Sequence, residues 1–285
     1  MKPPAAAGEP GPLTVGEVLA LLDERYPLQD AESWDRVGLL VGDPGQPVNH
    51  IVCALDPNDE TLRRAQQAGA DLLVTHHPTY LPPEPGEQPP AYGVVLEKVA
   101  RDLGSALIAC HTNLDVSEEA RLSLGAGLPL VSRGPLVTAT DEQGQVLPAF
   151  AQLWEATAAL SATSVAKLLA RRFQAPVRLS LAPADAGQLT RVVTATGSGG
   201  DALDAAIESG AQLFITGEMK YHQLVEARDR GISCIEVGHD VSEWPLAALL
   251  HDTLVGDCTD RGVTVALLPR DLFSQIITEE DPDHG

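Results

Sequence analysis

Ile51-Val52-Cys53-Ala54-Leu55, then Leu62 and Ala65, then Gly69-Ala70-Asp71-Leu72-Leu73-Val74-Thr75-His76-His77: the chain writes this stretch twice. Displacing the sequence by 141 residues without gaps sets Val52 on Val193, Ala54 on Ala195, Leu62 on Leu203 and Ala65 on Ala206. It continues with Gly69 on Gly210, Ala70 on Ala211, Leu72 on Leu213 and Thr75 on Thr216. An apolar run, a helical segment, a Gly-Ala corner and a second apolar run read as strand–helix–strand. The first copy ends in Thr75-His76-His77 and the second in Thr216-Gly217-Glu218. Each copy then runs through another helix and a Gly to an apolar strand, Ala106–Cys110 or Ser233–Val237. Each reaches an Asp-Val-Ser-Glu tetrapeptide, at Asp115–Glu118 and Asp240–Glu243, where the register slips. Alternating strands and helices predict mainly parallel sheets, and the duplication predicts an α/β fold of two similar lobes.

Around this core, Thr14-Val15-Gly16-Glu17 reads as a capping box opening a first helix. Asn58 and Asp59 read as caps of the helix that ends at Ala68. The sequence predicts a first lobe over residues 13–130, a connecting segment packed on the lobes over 131–190, and a second lobe over 191–270. Residues 1–12 read as a flexible tail and 271–285 as an acidic one.

The balance of 19 basic against 40 acidic residues gives a formal charge of −21. Such a field repels phosphate backbones and anionic lipid, which argues against nucleic-acid and membrane partners. A small anionic substrate stays open, because bound cations reverse the field locally. The start of the chain shows no apolar segment of a signal peptide, and no stretch has the apolar length of a bilayer span. Cys53, Cys110, Cys234 and Cys258 lack CxxC spacing and read as buried reduced thiols of a cytoplasmic protein.

In α/β sheets, ligands bind beyond the carboxyl ends of the strands, and the candidate residues stand there. His76 and His77 follow the strand ending at Thr75, and Pro78 ends that strand, so a loop can turn both imidazoles to one region. Asp115 closes His111-Thr112-Asn113-Leu114-Asp115, just past an apolar strand. His239 and Glu243 stand four apart, with Ser242 read as the cap of a helix containing Pro245, Glu243 in its first turn and His239 in the loop before it. Neutral imidazoles and carboxylates suit borderline cations such as Zn, Mn or Fe. Five such ligands suit two divalent cations if one carboxylate bridges. His111 reads either as a residue orienting Asp115 or as a weak ligand. Lys220, Tyr221 and His222 are candidates for an anion contact or a general acid, with a polar loop or helix start as the other reading. Trp34 reads as a packed indole, with base stacking as the other reading, and Gly197-Ser198-Gly199-Gly200 reads as a turn.

Together these motifs resemble the Nif-three-like family, whose members are often labelled GTP cyclohydrolase type 2 homologues. The resemblance runs from Val15 to Pro269. It rests on Trp34-Asp35-Arg36-Val37-Gly38-Leu39, Thr75-His76-His77-Pro78, His111-Thr112-Asn113-Leu114-Asp115, Thr216-Gly217-Glu218-Met219-Lys220-Tyr221-His222 and Gly238-His239-Asp240-Val241-Ser242-Glu243. It implies a dinuclear metal centre between the lobes, held by His76, His77, Asp115, His239 and Glu243, with Glu243 as bridge, and a homohexameric ring. It further implies a hydrolase that acts on a nucleotide or other small metabolite through a metal-activated water. A metal-binding or regulatory ring without turnover is the alternative. Glu218 stands where the family usually has Asp, and Asp240 where it usually has Tyr.

Overall fold

A computed structural model describes residues 12–83, 86–136, 149–183 and 188–270. Of the expected tails, only Pro12 falls within them. In chain order the elements are α1 (Val15–Arg25), β1 (Gly38–Val41), β2 (His50–Ala54), α2 (Asp59–Gln67), β3 (Leu72–Thr75), α3 (Ala91–Asp102), β4 (Ala106–Ala109), α4 (Thr112–Asp115) and α5 (Glu118–Ser123). There follow β5 (Leu130–Leu136), β6 (Ala151–Ala156), α6 (Ala162–Phe173), β7 (Arg178–Ser180), β8 (Arg191–Ser198), α7 (Leu203–Glu208), β9 (Leu213–Glu218), α8 (Tyr221–Asp229), β10 (Ser233–Glu236), α9 (His239–Cys258) and β11 (Thr264–Leu267).

The chain forms two compact units, Met1–Leu114 with Leu246–Leu268, and Asp115–Pro245 with Pro269–Gly285. The first is built on a five-stranded sheet in the order β1-β4-β3-β2-β11. All its neighbours pair in parallel except β1 with β4. Val52, Leu62, Ala65, Leu73, Leu96 and Leu107 pack its core. The expected capping box opens α1: Thr14 Oγ1 accepts from Glu17 N at 3.3 Å, and Glu17 Oε2 from Thr14 N at 2.9 Å. Asn58 caps α2 by accepting from Thr61 N at 2.8 Å.

The second unit is built on a six-stranded sheet in the order β5-β6-β8-β9-β10-β7. Its centre, β8-β9-β10, is parallel, and β6 and β7 flank it antiparallel. The segment expected to connect the lobes thus supplies β5, β6, α6 and β7 to this unit. Thr264–Leu267, read with the second lobe, hydrogen-bonds in parallel to β2 as an edge of the first sheet. Their alternation is compatible with either sheet, so local sequence does not choose between them.

The internal repeat is present as geometry. Ile51 pairs with Leu72 and Ala54 with Thr75 in the first sheet, while Val192 pairs with Leu213 and Ala195 with Thr216 in the second. Every one of these residues is displaced by the same 141 positions. The Gly-Ala corner recurs as well, with φ of 74° at Gly69 and 76° at Gly210, a left-handed conformation that favours glycine. All four cysteines are free and buried. No helix among the described residues is long and apolar enough to cross a membrane.

Candidate metal centre

Three histidines meet beyond the carboxyl ends of β3 and β4 in the first unit. His76 is fully buried, and His77 and His111 are partly so. One ring nitrogen from each lies within 4.8 Å of the others. The opposite side of each ring is fixed. His76 Nδ1 is 2.9 Å from the Cys110 carbonyl oxygen, His77 Nδ1 2.7 Å from Asp56 Oδ1, and His111 Nδ1 2.9 Å from Asp35 Oδ1. Carbonyl and carboxylate oxygens only accept, so Nδ1 is the donor in each pair and the supporting oxygen fixes the orientation of the ring.

Asp35 is the most heavily used of these partners. Its side chain has no exposure, and it also accepts from Arg36 N at 2.6 Å and Thr112 N at 3.0 Å. Burial works to raise its carboxyl, but the hydrogen bond and charge of His111, with those from Thr112 and Arg36 N, outweigh it and hold it at about 2. The structure therefore pairs Asp35, not Asp115, with the Nδ1 of His111. Next to it, Arg36 Nη1 contacts Glu97 Oε1 at 2.5 Å and donates to Thr79 Oγ1 at 3.1 Å. That ties the loop after His77-Pro78 to α3. Trp34 is not the packed indole expected from sequence; it is half exposed, edge-on to His111 at 6.4 Å.

In the second unit, Glu243 is the common neighbour. Its carboxylate is buried, and oxygen or nitrogen atoms of Asp115 and of His239 each lie within 4.8 Å of it. His239 Nε2 is 3.0 Å from Glu243 Oε2, and its Nδ1 is 3.0 Å from Glu218 Oε1. Glu218 thus does for His239 what Asp56 does for His77. Helix α9 starts at His239 rather than after Ser242, which puts His239 and Glu243 one turn apart on the same helical face. Ser242 does not cap it; its hydroxyl donates to the His239 carbonyl at 2.8 Å and accepts from Gly197 N at 2.9 Å.

The glycines of the second copy make the room. At Gly197, where φ is 58°, an added Cβ would stand 2.0 Å from Glu243 Oε1. Gly197 is the repeat counterpart of Asp56, and Gly217 that of His76. A Cβ at Gly217 would meet the Gly197 carbonyl oxygen at 2.5 Å and Ser242 Oγ at 2.6 Å, so no side chain fits there. The residues fit divalent cations: Nε2 atoms and carboxylate oxygens form a donor set for Zn, Mn or Fe, and the buried Glu243 carboxylate rests in a cradle that any Cβ would fill. Lys220 and His222, by contrast, are exposed at the start of α8.

Asp56 was missed in the sequence, where only Asn58 and Asp59 of this stretch carry a reading, as helix caps. Its position directly past β2, at a strand's carboxyl end, was the available signal. Glu218 stood out only as a departure from a motif.

Fold and site together define an α/β protein whose buried histidine and carboxylate groups can hold metal ions. The chain belongs to the Duf34/NIF3 (NGG1p interacting factor 3) family, whose model matches residues 13–271. A Streptomyces coelicolor protein described as a GTP cyclohydrolase 1 type 2 homolog is 34% identical over 242 residues, 82% of this chain and 83% of that one. A Clostridium perfringens protein of the same description is 26% identical over 248 residues, 82% and 88% of the two chains. Among solved structures, a hypothetical protein of Staphylococcus aureus superposes with a TM-score of 0.79 at 23% identity, over 93% of this chain and all of that one. Reduced HcgD from Methanocaldococcus jannaschii gives 0.72 at 19% identity, over 90% and 97%. These two bear on the fold alone.

Proposed function

We propose that this chain is a dinuclear, metal-dependent hydrolase of the cyclohydrolase kind, acting on a nucleotide or another small metabolite. His76, His77, Asp115, His239 and Glu243 are its ligands for two divalent cations of Zn, Mn or Fe, with Glu243 the bridge. One observation carries the reading. His76, His77, His111 and His239 all engage Nδ1 with an acceptor-only oxygen, the support expected behind metal-ligating imidazoles. The description shared by the Streptomyces and Clostridium relatives supports the cyclohydrolase class.

Bound divalent cations would supply Lewis acidity and lower the pKa of coordinated water towards about 7. The chain's own residues do the rest. Asp56 and Glu218 hold two imidazoles in orientation and raise their basicity. Glu243, buried in the Gly197 cradle, keeps its carboxylate beside both Asp115 and His239. Lys220 and His222 are the proposed anion contact and proton donor, at a helix N-terminus that favours negative charge. We further propose a closed homo-oligomer, most simply a hexamer, for which Tyr92, Val94 and Val95 on α3 supply exposed apolar surface.

The test is a screen of metal-reconstituted protein against nucleotides, phosphodiesters and small cyclic amides. Glu243→Gln is expected to abolish any turnover found and to disturb metal occupancy. His222→Ala is expected to slow turnover about a hundredfold with its metals in place. Activity that survives complete metal removal overturns the hydrolase reading. A fully metallated protein that turns over nothing makes it a metal-binding protein instead.

A further inference from the structure

We infer that a cavity in the second unit is a subsite for a planar ring amide, with Asp240 and Arg270 as the pair that reads its N–H and C=O edge. The inference rests on the hydrolase reading above and names its substrate class. The cavity has a volume of about 640 Å³, within the range of about 300–1,000 Å³ usual for small-molecule sites. It lies at the carboxyl ends of β9 and β10, where α/β sheets bind ligands. Glu218 closes β9, Val237 follows β10, and Asp240 stands in the first turn of α9. Pro176 and Val177 reach the same place because Arg178 pairs with Glu236 where β7 runs antiparallel to β10. Every residue that lines it belongs to the second unit.

The charged groups of the lining are not equally engaged. Arg178 and Glu236 are closed on each other: Nε and Nη2 of the guanidinium each reach the carboxylate at 2.5 Å, and Glu236 Oε1 also accepts from Met219 N at 3.1 Å. Glu218 is taken by His239 Nδ1. Asp240 and Arg270 are held far more loosely. Arg270 Nη1 stands 3.5 Å from Asp240 Oδ2, beyond the range of about 2.7–3.2 Å for an N–H···O bond. Arg270 has no closer polar partner among the described residues, although its side chain is only 20% exposed and that of Asp240 34%. A guanidinium only donates and a carboxylate only accepts. A ligand edge with one acceptor beside one donor satisfies both at once, and the C=O and N–H of a ring amide make such an edge. Formal charge decides against a phosphate or carboxylate group. Two arginines and three carboxylates line the cavity, so an anion that enters meets net repulsion. A neutral ring meets none, and its apolar faces cover Pro176, Val177 and Val237.

The experiment titrates the full chain, as purified, with three probes in a calorimeter: hypoxanthine, 1-methylhypoxanthine and inorganic phosphate. Metal is counted in every sample, so that a lost cation is not mistaken for a lost contact. Hypoxanthine is expected to bind, and 1-methylhypoxanthine, which has the same ring but no amide N–H, to bind at least about tenfold more weakly. Arg270→Ala and Asp240→Asn should each weaken hypoxanthine by about tenfold or more at unchanged metal content. The comparison of the two rings uses the wild-type chain alone, so it stands even if a variant misfolds. Equal binding of the two rings, or no binding of hypoxanthine, overturns the inference. So does phosphate binding that Arg270→Ala abolishes and Asp240→Asn tightens, because the cavity is then an anion subsite. None of these readouts needs turnover. A chain that binds hypoxanthine as expected yet hydrolyses nothing keeps the subsite and loses the hydrolase reading; one that hydrolyses a substrate without a ring amide and ignores hypoxanthine does the reverse.

Discussion

Asp35, Asp56 and Glu218 share one task, accepting a hydrogen bond from the Nδ1 of a histidine and so fixing the direction of its Nε2. The partners of Asp56 and Glu218 each lie 21 residues away, and that of Asp35 lies 76 away. Glu218→Gln keeps an acceptor but loses the charge, and should weaken the second unit's metal affinity by about 10–100-fold, read by competition with a chelator. Unchanged affinity would mean that His239 needs no such support. Asp35 makes a prediction in pH. Its carboxyl falls from an ordinary 3.8 to about 2 on folding, so its stabilisation is complete above the ordinary value and is lost as pH falls through about 2. The gap in urea midpoint between wild type and Asp35→Asn should be wide at neutral pH and narrow as the pH drops from about 4 to 2. A gap that stays constant over that window counts against the pairing with His111. The metal-type residues themselves were legible in the sequence, because a His-His pair or a His239/Glu243 spacing is local. Their supporting acids were not, because a contact across 76 residues leaves no spacing to read.

At the scale of elements, the repeat was the most legible feature, since gap-free similarity transmits strand register directly. What it could not convey is how the copies diverge at their tips. The first copy spends its equivalent positions on Asp56 and His76; the second leaves Gly197 and Gly217 bare so that the Glu243 carboxylate and Ser242 can occupy the space. Gly197→Ala should therefore cost more than about 1 kcal/mol, through positive φ and through the collision with Glu243. Its denaturation midpoint and metal content should fall together. Gly69→Ala meets the same φ penalty but no atom within 4 Å, so it should lose stability and keep its metal. The start of α9 was misread for a related reason. Ser242 looks like an N-cap by residue type, but its hydroxyl is claimed by Gly197 N, from a strand 45 residues upstream.

For the whole molecule, a closed ring should show by light scattering as a single species of about six chains, and a stable monomer at micromolar concentration would refute it. The buried thiols supply a second measure. Burial pushes Cys110 and Cys234 up to about 12 and Cys258 to about 11, so all should react with a disulfide reagent only after unfolding. The most far-reaching feature is the placement of β11. The strand on the outer edge of β2 is the last of the described elements, 214 positions further on by their pairing of Thr264 with His50. The second unit's strands all precede it. On the ribosome, β5 to β10 therefore emerge and can assemble while β2 still presents a bare edge of backbone amides and carbonyls to the crowded cell, the kind of edge that invites intermolecular pairing. A nascent chain stalled before Thr264 should thus bind chaperones through the first unit and not the second, and release them once β11 has been made and has emerged.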